Sequence, residues 1–246
     1  MAEFSGKTVV ILGATGVVGS GVAKAFLDAG AFVVAVSRSA AKLEELKKTL
    51  KVGPGAAFAT AVGDFKDEST TGRAMAAIDQ ALGGRAIDHV VSSQGFVKFG
   101  PPPTQSTAAQ LTDALDDGLV INFHAARALL PGIKQRPATF TMVSGGLAHM
   151  PPPDPAMWMG TLKNAAVNAF TLGLAAETQR DLVRVNTLCI HFGVAPIGGS
   201  QNQFGLAAER DTVGLAPAFL ALARGKQKGQ VICLGSWGDV DALARS

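Results

Sequence analysis

The stretch Thr8-Val9-Val10-Ile11-Leu12-Gly13-Ala14-Thr15-Gly16-Val17-Val18-Gly19-Ser20-Gly21 decides how the rest of the chain is read. Thr8–Leu12 is a run of β-formers with no charge, which reads as a strand buried on both faces. Three glycines then follow at Gly13-x-x-Gly16-x-x-Gly19, and a helical apolar pattern begins at Val17. Glycines allow a tight turn and close approach of backbone to a ligand. The helix that follows offers free N–H groups and the positive end of its dipole. Strand, glycine turn and helix in that order form a cradle for the pyrophosphate of a dinucleotide. Its candidate contacts are Gly13, Thr15, Gly16, Val17, Val18 and Gly19.

Beyond this segment, apolar strand patterns alternate with helical ones to the end of the chain. Strands are expected at Lys7–Leu12, Ala31–Val36, Ala56–Ala61, Ile87–Ser92, Ala138–Val143, Leu182–Leu188 and Gln230–Leu234. Helices are expected at Val17–Ala29, Ala40–Leu50, Asp67–Leu82, Leu119–Leu130 and Met157–Thr178. Near-continuous apolar strands between helices specify an α/β fold: a single Rossmann-type, doubly wound parallel sheet of about seven strands with helices on both faces. No repeat or linker divides residues 1–246, so one NAD(P)-binding domain is expected. The proline clusters Pro101–Pro103 and Pro151–Pro155 cannot lie inside strands or helices. They read as loops beyond the fourth and fifth strands, at the carboxyl edge where open α/β sheets bind ligands.

Composition narrows the partners. Of the 246 residues 48% are hydrophobic and 17% charged, the balance of a chain that folds around a core. The net charge of +3 comes without a Lys/Arg run, so nucleic acid is not expected. No apolar run approaches the roughly 20 residues of a membrane span, and Met1–Lys7 has no signal core. A cytoplasmic protein is expected. Cys189 and Cys233 lie in apolar runs and read as buried free thiols of a reducing compartment. No metal ligand is assigned.

Further positions extend the dinucleotide site. The second strand leads into Ser37-Arg38, where an NAD site would place a carboxylate on the ribose. Arg38 instead offers a planar fork suited to a 2′-phosphate, which points to NADP(H). Gly63-Asp64-Phe65 follows the third strand, with Asp64 placed to accept the adenine amino group. Ser92-Ser93-Gln94-Gly95 ends the fourth, with residues small enough to lie beside the adenosine.

Taken in order, these features resemble the short-chain dehydrogenase/reductase family over nearly the whole chain. Gly13–Gly19 is similar to its glycine motif in the spacing of the extended and atypical branches, with Leu12 where the family has Thr. Asp64, Ser92–Gly95, Asn122, Lys163 and Arg184-Val-Asn-Thr-Leu match further family positions. The resemblance implies that Lys163 holds the nicotinamide ribose and that Asn122 supports a water relay. It also implies subunit pairing through Leu119–Leu130 and Met157–Thr178 as a homodimer or homotetramer.

Three departures matter. The catalytic Tyr position, four before Lys163, holds Met159, and the chain contains no Tyr. The family's catalytic Ser aligns with Gly145, leaving Ser144 one residue early. The Pro-Gly turn over the nicotinamide is replaced by Ile190-His191. A thioether donates no proton, so Lys163 (through a bound water), Ser144, His149 and His191 are the candidates for catalysis with Asn122. Met150, Trp158, Met159 and Phe192 are the candidate walls of an apolar substrate pocket, under a lid around residues 193–210.

The leading expectation is an NADP(H)-dependent oxidoreductase with a non-Tyr proton donor. Hydride would pass to a carbonyl, imine or activated double bond of a lipophilic small molecule. Two alternatives stand beside it: a non-redox cyclisation or isomerisation on the same fold, and a non-catalytic NADP(H)-binding sensor or scaffold.

Overall fold

A computed structural model describes residues 2–53, 57–96 and 98–246. Among them lie β1 (Thr8–Leu12), β2 (Phe32–Ser37), β3 (Phe58–Val62), β4 (His89–Ser92), β5 (Thr139–Gly145), β6 (Arg184–Ile190) and β7 (Gln230–Leu234). All pair in parallel in one sheet, in the order β3-β2-β1-β4-β5-β6-β7. The order reverses between β1 and β4, and the loops diverge there to open a crevice. The helices are α1 (Val17–Asp28), α2 (Ala40–Thr49), α3 (Glu68–Leu82), α4 (Ala108–Leu115), α5 (Ile121–Ile133), α6 (Trp158–Glu177), α7 (Thr212–Leu215), α8 (Pro217–Arg224) and α9 (Trp237–Arg245).

Alternation along the strands explains the two cores. Val9, Ile11, Val33 and Leu188 face Val22, Phe26, Phe219 and Leu222 of α1 and α8. Val10, Val34, Val90, Phe140 and Met142 face Ile78, Leu129 and Val167 of α3, α5 and α6. The central strands are buried on both faces because each successive side chain enters one core or the other.

Element boundaries fall within one or two residues of expectation, with instructive exceptions. The expected start of the third strand, Ala56, lies outside the described residues. α5 was expected to stop at Leu130 but continues through Pro131 to Ile133. A single Pro in the last turn removes one hydrogen bond, while Leu130 and Ile133 still gain burial. α5 is preceded by a π turn, Asp116–Val120. The two proline clusters are loops, as expected, each starting a short 3₁₀ turn, Pro103–Gln105 and Pro155–Met157. Cys233 corrects the expectation of two buried thiols. Cys189 is buried in β6, but β7 is the edge strand and leaves Cys233 exposed.

Candidate active site

The crevice is bounded below by the turn after β1. Gly13 has φ +74°, and a Cβ on it would run into the Ser93 carbonyl, while one on Gly19 would run into the Gly13 carbonyl. The three glycines thus bring β1, β4 and α1 within backbone contact of one another. Gly16 caps α1 without a side-chain acceptor for the first N–H groups. The helix therefore meets the crevice with donors to offer, and the residues present fit a dinucleotide pyrophosphate.

Two connected chambers share Gly16, Ser93, Gln94, Gly95 and Phe96. The first, about 390 Å³, reaches Gly13, Thr15, Ser37, Arg38, Asp64 and Ile121. The Thr15 and Ser37 hydroxyls lie 2.8 Å apart and tie the glycine turn to the end of β2. Ser39 caps α2 by accepting from Lys42 N–H at 3.3 Å, so Arg38 and Lys42 flank a helix N-terminus. Lys42 and Lys66 also line this chamber, and sequence reading missed both. The spacing from Arg38 to Lys42, across the first turn of α2, was the signal that would have found Lys42. Asp64 accepts the Phe65 N–H at 2.8 Å, while the Phe65 ring is buried in the core and contacts no chamber. Gly19 is likewise buried and serves packing.

The second chamber, about 270 Å³, is lined by Val17, Val18, Ser144, Lys163, Asn164 and Phe192, with Asn202 and Phe204 above. Phe204 meets Phe99 edge-on at 5.8 Å, so the 193–210 segment touches the loop after β4 across the crevice.

Lys163 is the charged side chain buried at this junction. It threads between two glycines: a Cβ on Gly118 would overlap its stem, and one on Gly95 would stand 3.0 Å from Nζ. Burial pushes its pKa down to about 8 against the pull of Asp117. The π turn carries both Gly118 and Asp117, so the backbone irregularity before α5 shapes the lysine's surroundings. Asn122 holds that turn. Its Oδ1 accepts from Ser92 Oγ at 2.6 Å and its Nδ2 donates to the Gly118 carbonyl at 2.7 Å. The Asn122 amide is thereby committed inside the protein, and it positions Lys163 through Gly118.

The other candidates separate. Ser144 Oγ donates to Asn168 Oδ1 at 2.6 Å, which points its proton away from the chamber. Instead Asn164 Nδ2 lies 2.9 Å from where a Cβ on Gly145 would stand, so this amide fills the space of a side chain at that position. Sequence reading did not single out Asn164. His149 and His191 stack at 5.8 Å, near Cys233 and Cys189 respectively, and neither lines the chambers. His89 is structural as expected: it is 2.9 Å from Thr139 Oγ1, and burial lowers its pKa to about 4.

Of the expected substrate walls, Phe192 lines the chamber and packs on Trp237 at 4.5 Å. Met150 is exposed outside it. Trp158 donates to the Pro101 carbonyl at 2.9 Å and ties α6 to the first proline loop. Met159 is 3% exposed, and its methyl would stand 2.6 Å from a Cβ on Gly100. The thioether is sealed beneath the loop after β4 by a Gly100 N–H bond to the Ala156 carbonyl at 3.0 Å.

Comparison with known proteins agrees with this architecture. The family model for short chain dehydrogenases matches residues 7–203. The short-chain dehydrogenase/reductase iacG of Pestalotiopsis fici is 27% identical over 96% of this chain and 94% of its own length. A short chain dehydrogenase of Pseudocercospora fijiensis is 26% identical over 72% of this chain, which spans 56% of that longer protein. Among solved structures, MalC reductase/Diels-Alderase from Malbranchea aurantiaca superposes with TM-score 0.80 at 23% identity, covering 96% of each chain. The landomycin C-6 ketoreductase LanV, solved with bound NADP and rabelomycin, gives 0.79 at 19% identity over 97% of this chain and 98% of its own. With most of its length matched by the family model and the same seven-stranded parallel sheet, this chain belongs to the short-chain dehydrogenase family.

Proposed function

We propose that the protein is an NADP(H)-dependent oxidoreductase that reduces a carbonyl, imine or activated double bond of a lipophilic small molecule. Lys163 is the proton source in place of a phenol. The observation that carries the reading is the Lys163 ammonium at the junction of the two chambers, with a pKa near 8. A cationic acid close to neutrality at that place is matched to delivering a proton as the substrate oxygen or nitrogen gains charge.

The chain's own groups divide the work. The glycine turn and the α1 N-terminus hold the pyrophosphate. Arg38 and Lys42 take a 2′-phosphate at the N-terminus of α2, and the absence of a carboxylate at Ser37 removes the group that would favour NAD. When bound, the nicotinamide supplies the hydride. Lys163 hydrogen-bonds the ribose and releases its proton, directly or through one water. The Asn164 amide donates to the substrate's acceptor atom, since Ser144 is engaged elsewhere. Phe192 and Phe204 keep water from the reacting atoms.

A second reading, a non-redox cyclisation in the same chamber, is favoured by the sealed Met159 and by the neighbour named a reductase and Diels-Alderase. NADPH fluorescence titration followed by turnover against carbonyl and imine panels separates the two. Reduction whose kcat/KM falls above a pKa near 8, with the fall absent in Lys163→Met, supports the first. Cofactor binding without reduction of any panel member refutes it. No helix among the described residues is long and apolar enough to cross a membrane. A cytoplasmic homo-oligomer completes the proposal. The subunit pairing rests on the exposed Phe123 and Leu172 on α5 and α6, with Phe123 6.2 Å from Phe170.

A further inference from the structure

We infer that His149, Cys189, His191 and Cys233 form a Cys2His2 zinc site at the carboxyl edge of the sheet, separate from the cofactor crevice. One ligand atom from each residue lies within 4.8 Å of all the others. Cys189 and Cys233 are register partners on β6 and β7, so their thiols leave the same face side by side. His191 follows Cys189 by two residues, just beyond the end of β6, with Nε2 3.4 Å from Cys189 Sγ. His149 arrives from the 3₁₀ turn after β5, with Nε2 3.7 Å from Cys233 Sγ. Tetrahedral zinc with bonds of about 2.3 Å to sulfur and about 2.05 Å to nitrogen requires S···N edges of ~3.6 Å. The two observed S···N distances bracket that edge, so small side-chain rotations complete the shell.

The surroundings are cut to these side chains. A Cβ on Gly146 would stand 2.7 Å from His191 Cγ and 2.9 Å from its Cα, so only glycine admits the imidazole there. Asn168 accepts the Ser144 hydroxyl at 2.6 Å and donates to His149 Nε2 at 3.1 Å, which holds the ligating nitrogen in place in the metal-free protein. Zinc binding exchanges that last hydrogen bond for a coordinate bond. Exposed Cys233 and His149 leave an entry path, while buried Cys189 forms the floor. Two thiolates and two neutral imidazoles select a soft, tetrahedral ion over magnesium or calcium. On binding, each thiol releases one proton to solvent and the two thiolates neutralise the dication. With four protein ligands the shell is closed, so the site is structural. It staples the turn after β5 to β6 and β7. It also takes both histidines out of acid–base chemistry.

The test uses the full chain with any polyhistidine tag removed, reduced and stripped with a chelator, then titrated with Co²⁺ and with Zn²⁺. One equivalent of Co²⁺ should give tetrahedral d–d bands with a thiolate charge-transfer band, displaced by Zn²⁺. Zn²⁺ should also raise the melting temperature. Cys233→Ser and His191→Ala should each weaken binding about 100-fold or more, at least the upper loss typical of an outer-shell change. Cys233→Ser alters an exposed edge-strand side chain and should leave the circular dichroism unchanged. The inference is overturned by three results: reduced wild type that takes up no stoichiometric metal, cobalt bands that survive Cys233→Ser, or thiols that close to a Cys189–Cys233 disulfide while the reduced form ignores zinc.

Discussion

Replacing Lys163 with Met should make the protein more stable and worse at its work, and the size of the gain follows from the site. Met keeps the length of the stem that passes Gly118 and removes only the ammonium. Folding lowers the pKa of that ammonium from 10.5 to about 8. Below pH 8 it is charged in both the folded and unfolded chain, and burying it costs about 3 kcal/mol at 1.36 kcal/mol per pKa unit. Between pH 8 and 10.5 the unfolded chain binds more protons than the folded one, so wild-type stability rises with pH through that window. Above 10.5 the penalty is gone. Lys163→Met should therefore exceed wild type by about 3 kcal/mol at pH 7, or roughly 6–12 °C for a chain of this size. The gap should close as pH climbs from 8 to 10.5. Urea unfolding of both proteins without cofactor, at half-unit pH steps, measures it. NADPH affinity should fall about tenfold to a hundredfold, the worth of one hydrogen bond to a charged donor. A Met variant less stable than wild type at pH 7, or a gap independent of pH, would refute the reasoning.

Arg38→Glu should weaken NADPH by about 100-fold while leaving NADH within a fewfold, because it removes a fork that pairs with phosphate and adds repulsion. Equal dissociation constants for the two cofactors in wild type would sink it. Gly118→Ala should displace the Lys163 stem, since its Cβ would overlap Lys163 Cγ, and lower NADPH affinity without unfolding; unchanged affinity would show that the lysine does not need that path. Asn164→Leu should lower kcat at nearly unchanged cofactor affinity, whereas Ser144→Ala should leave kcat within a fewfold; the reverse order would return the donor role to Ser144. Phe123→Arg combined with Leu172→Arg should yield a monomer by light scattering at micromolar concentration, and an unchanged mass would place the subunit contact elsewhere.

The fold was legible because its signals are local. Thr8–Leu12 is uncharged and buried at every position since β1 is covered on both faces, and Gly13 and Gly19 must be glycines because the Ser93 and Gly13 carbonyls occupy the space of their side chains. The residues that line the first chamber were legible for the same reason: Gly13, Ser37, Arg38 and Asp64 each stand at the end of a strand whose place in the sheet fixes where it points. The substrate side was not. Both Ser144 and Gly145 line the chamber, and the hydrogen bond that engages the Ser144 hydroxyl comes from Asn168, 24 residues away. Met150 and Trp158 have the composition of a pocket wall, yet one lies in solvent and the other is engaged by the Pro101 carbonyl. His149 and His191 were rightly placed at the carboxyl edge. No spacing could show that Cys233, 42 residues further on, stands in register with Cys189 and near His149.

These misses share a physical cause: contacts between residues far apart in the sequence set the second chamber. Four residues before Lys163, the Met159 thioether packs beneath the loop that carries Gly100. Gly145 lacks a side chain and the Asn164 amide occupies that space one residue after Lys163, while the Ser144 hydroxyl is engaged by Asn168. That same Asn168 holds His149, so the engagement of Ser144 and the gathering of the two histidines and two cysteines are one connected arrangement. Lys163 lies between Gly95 and Gly118, and the Asn122 amide holds the Gly118 carbonyl. In the proposed function the proton donor and the cofactor anchor are the same group. Cofactor affinity and the pH dependence of turnover should then move together whenever the burial of Lys163 is changed. Asn122→Ala, which removes both hydrogen bonds that hold the π turn, should shift the pKa seen in kcat/KM toward 10.5 and weaken NADPH in the same variant. A shift in one without the other would separate the two roles.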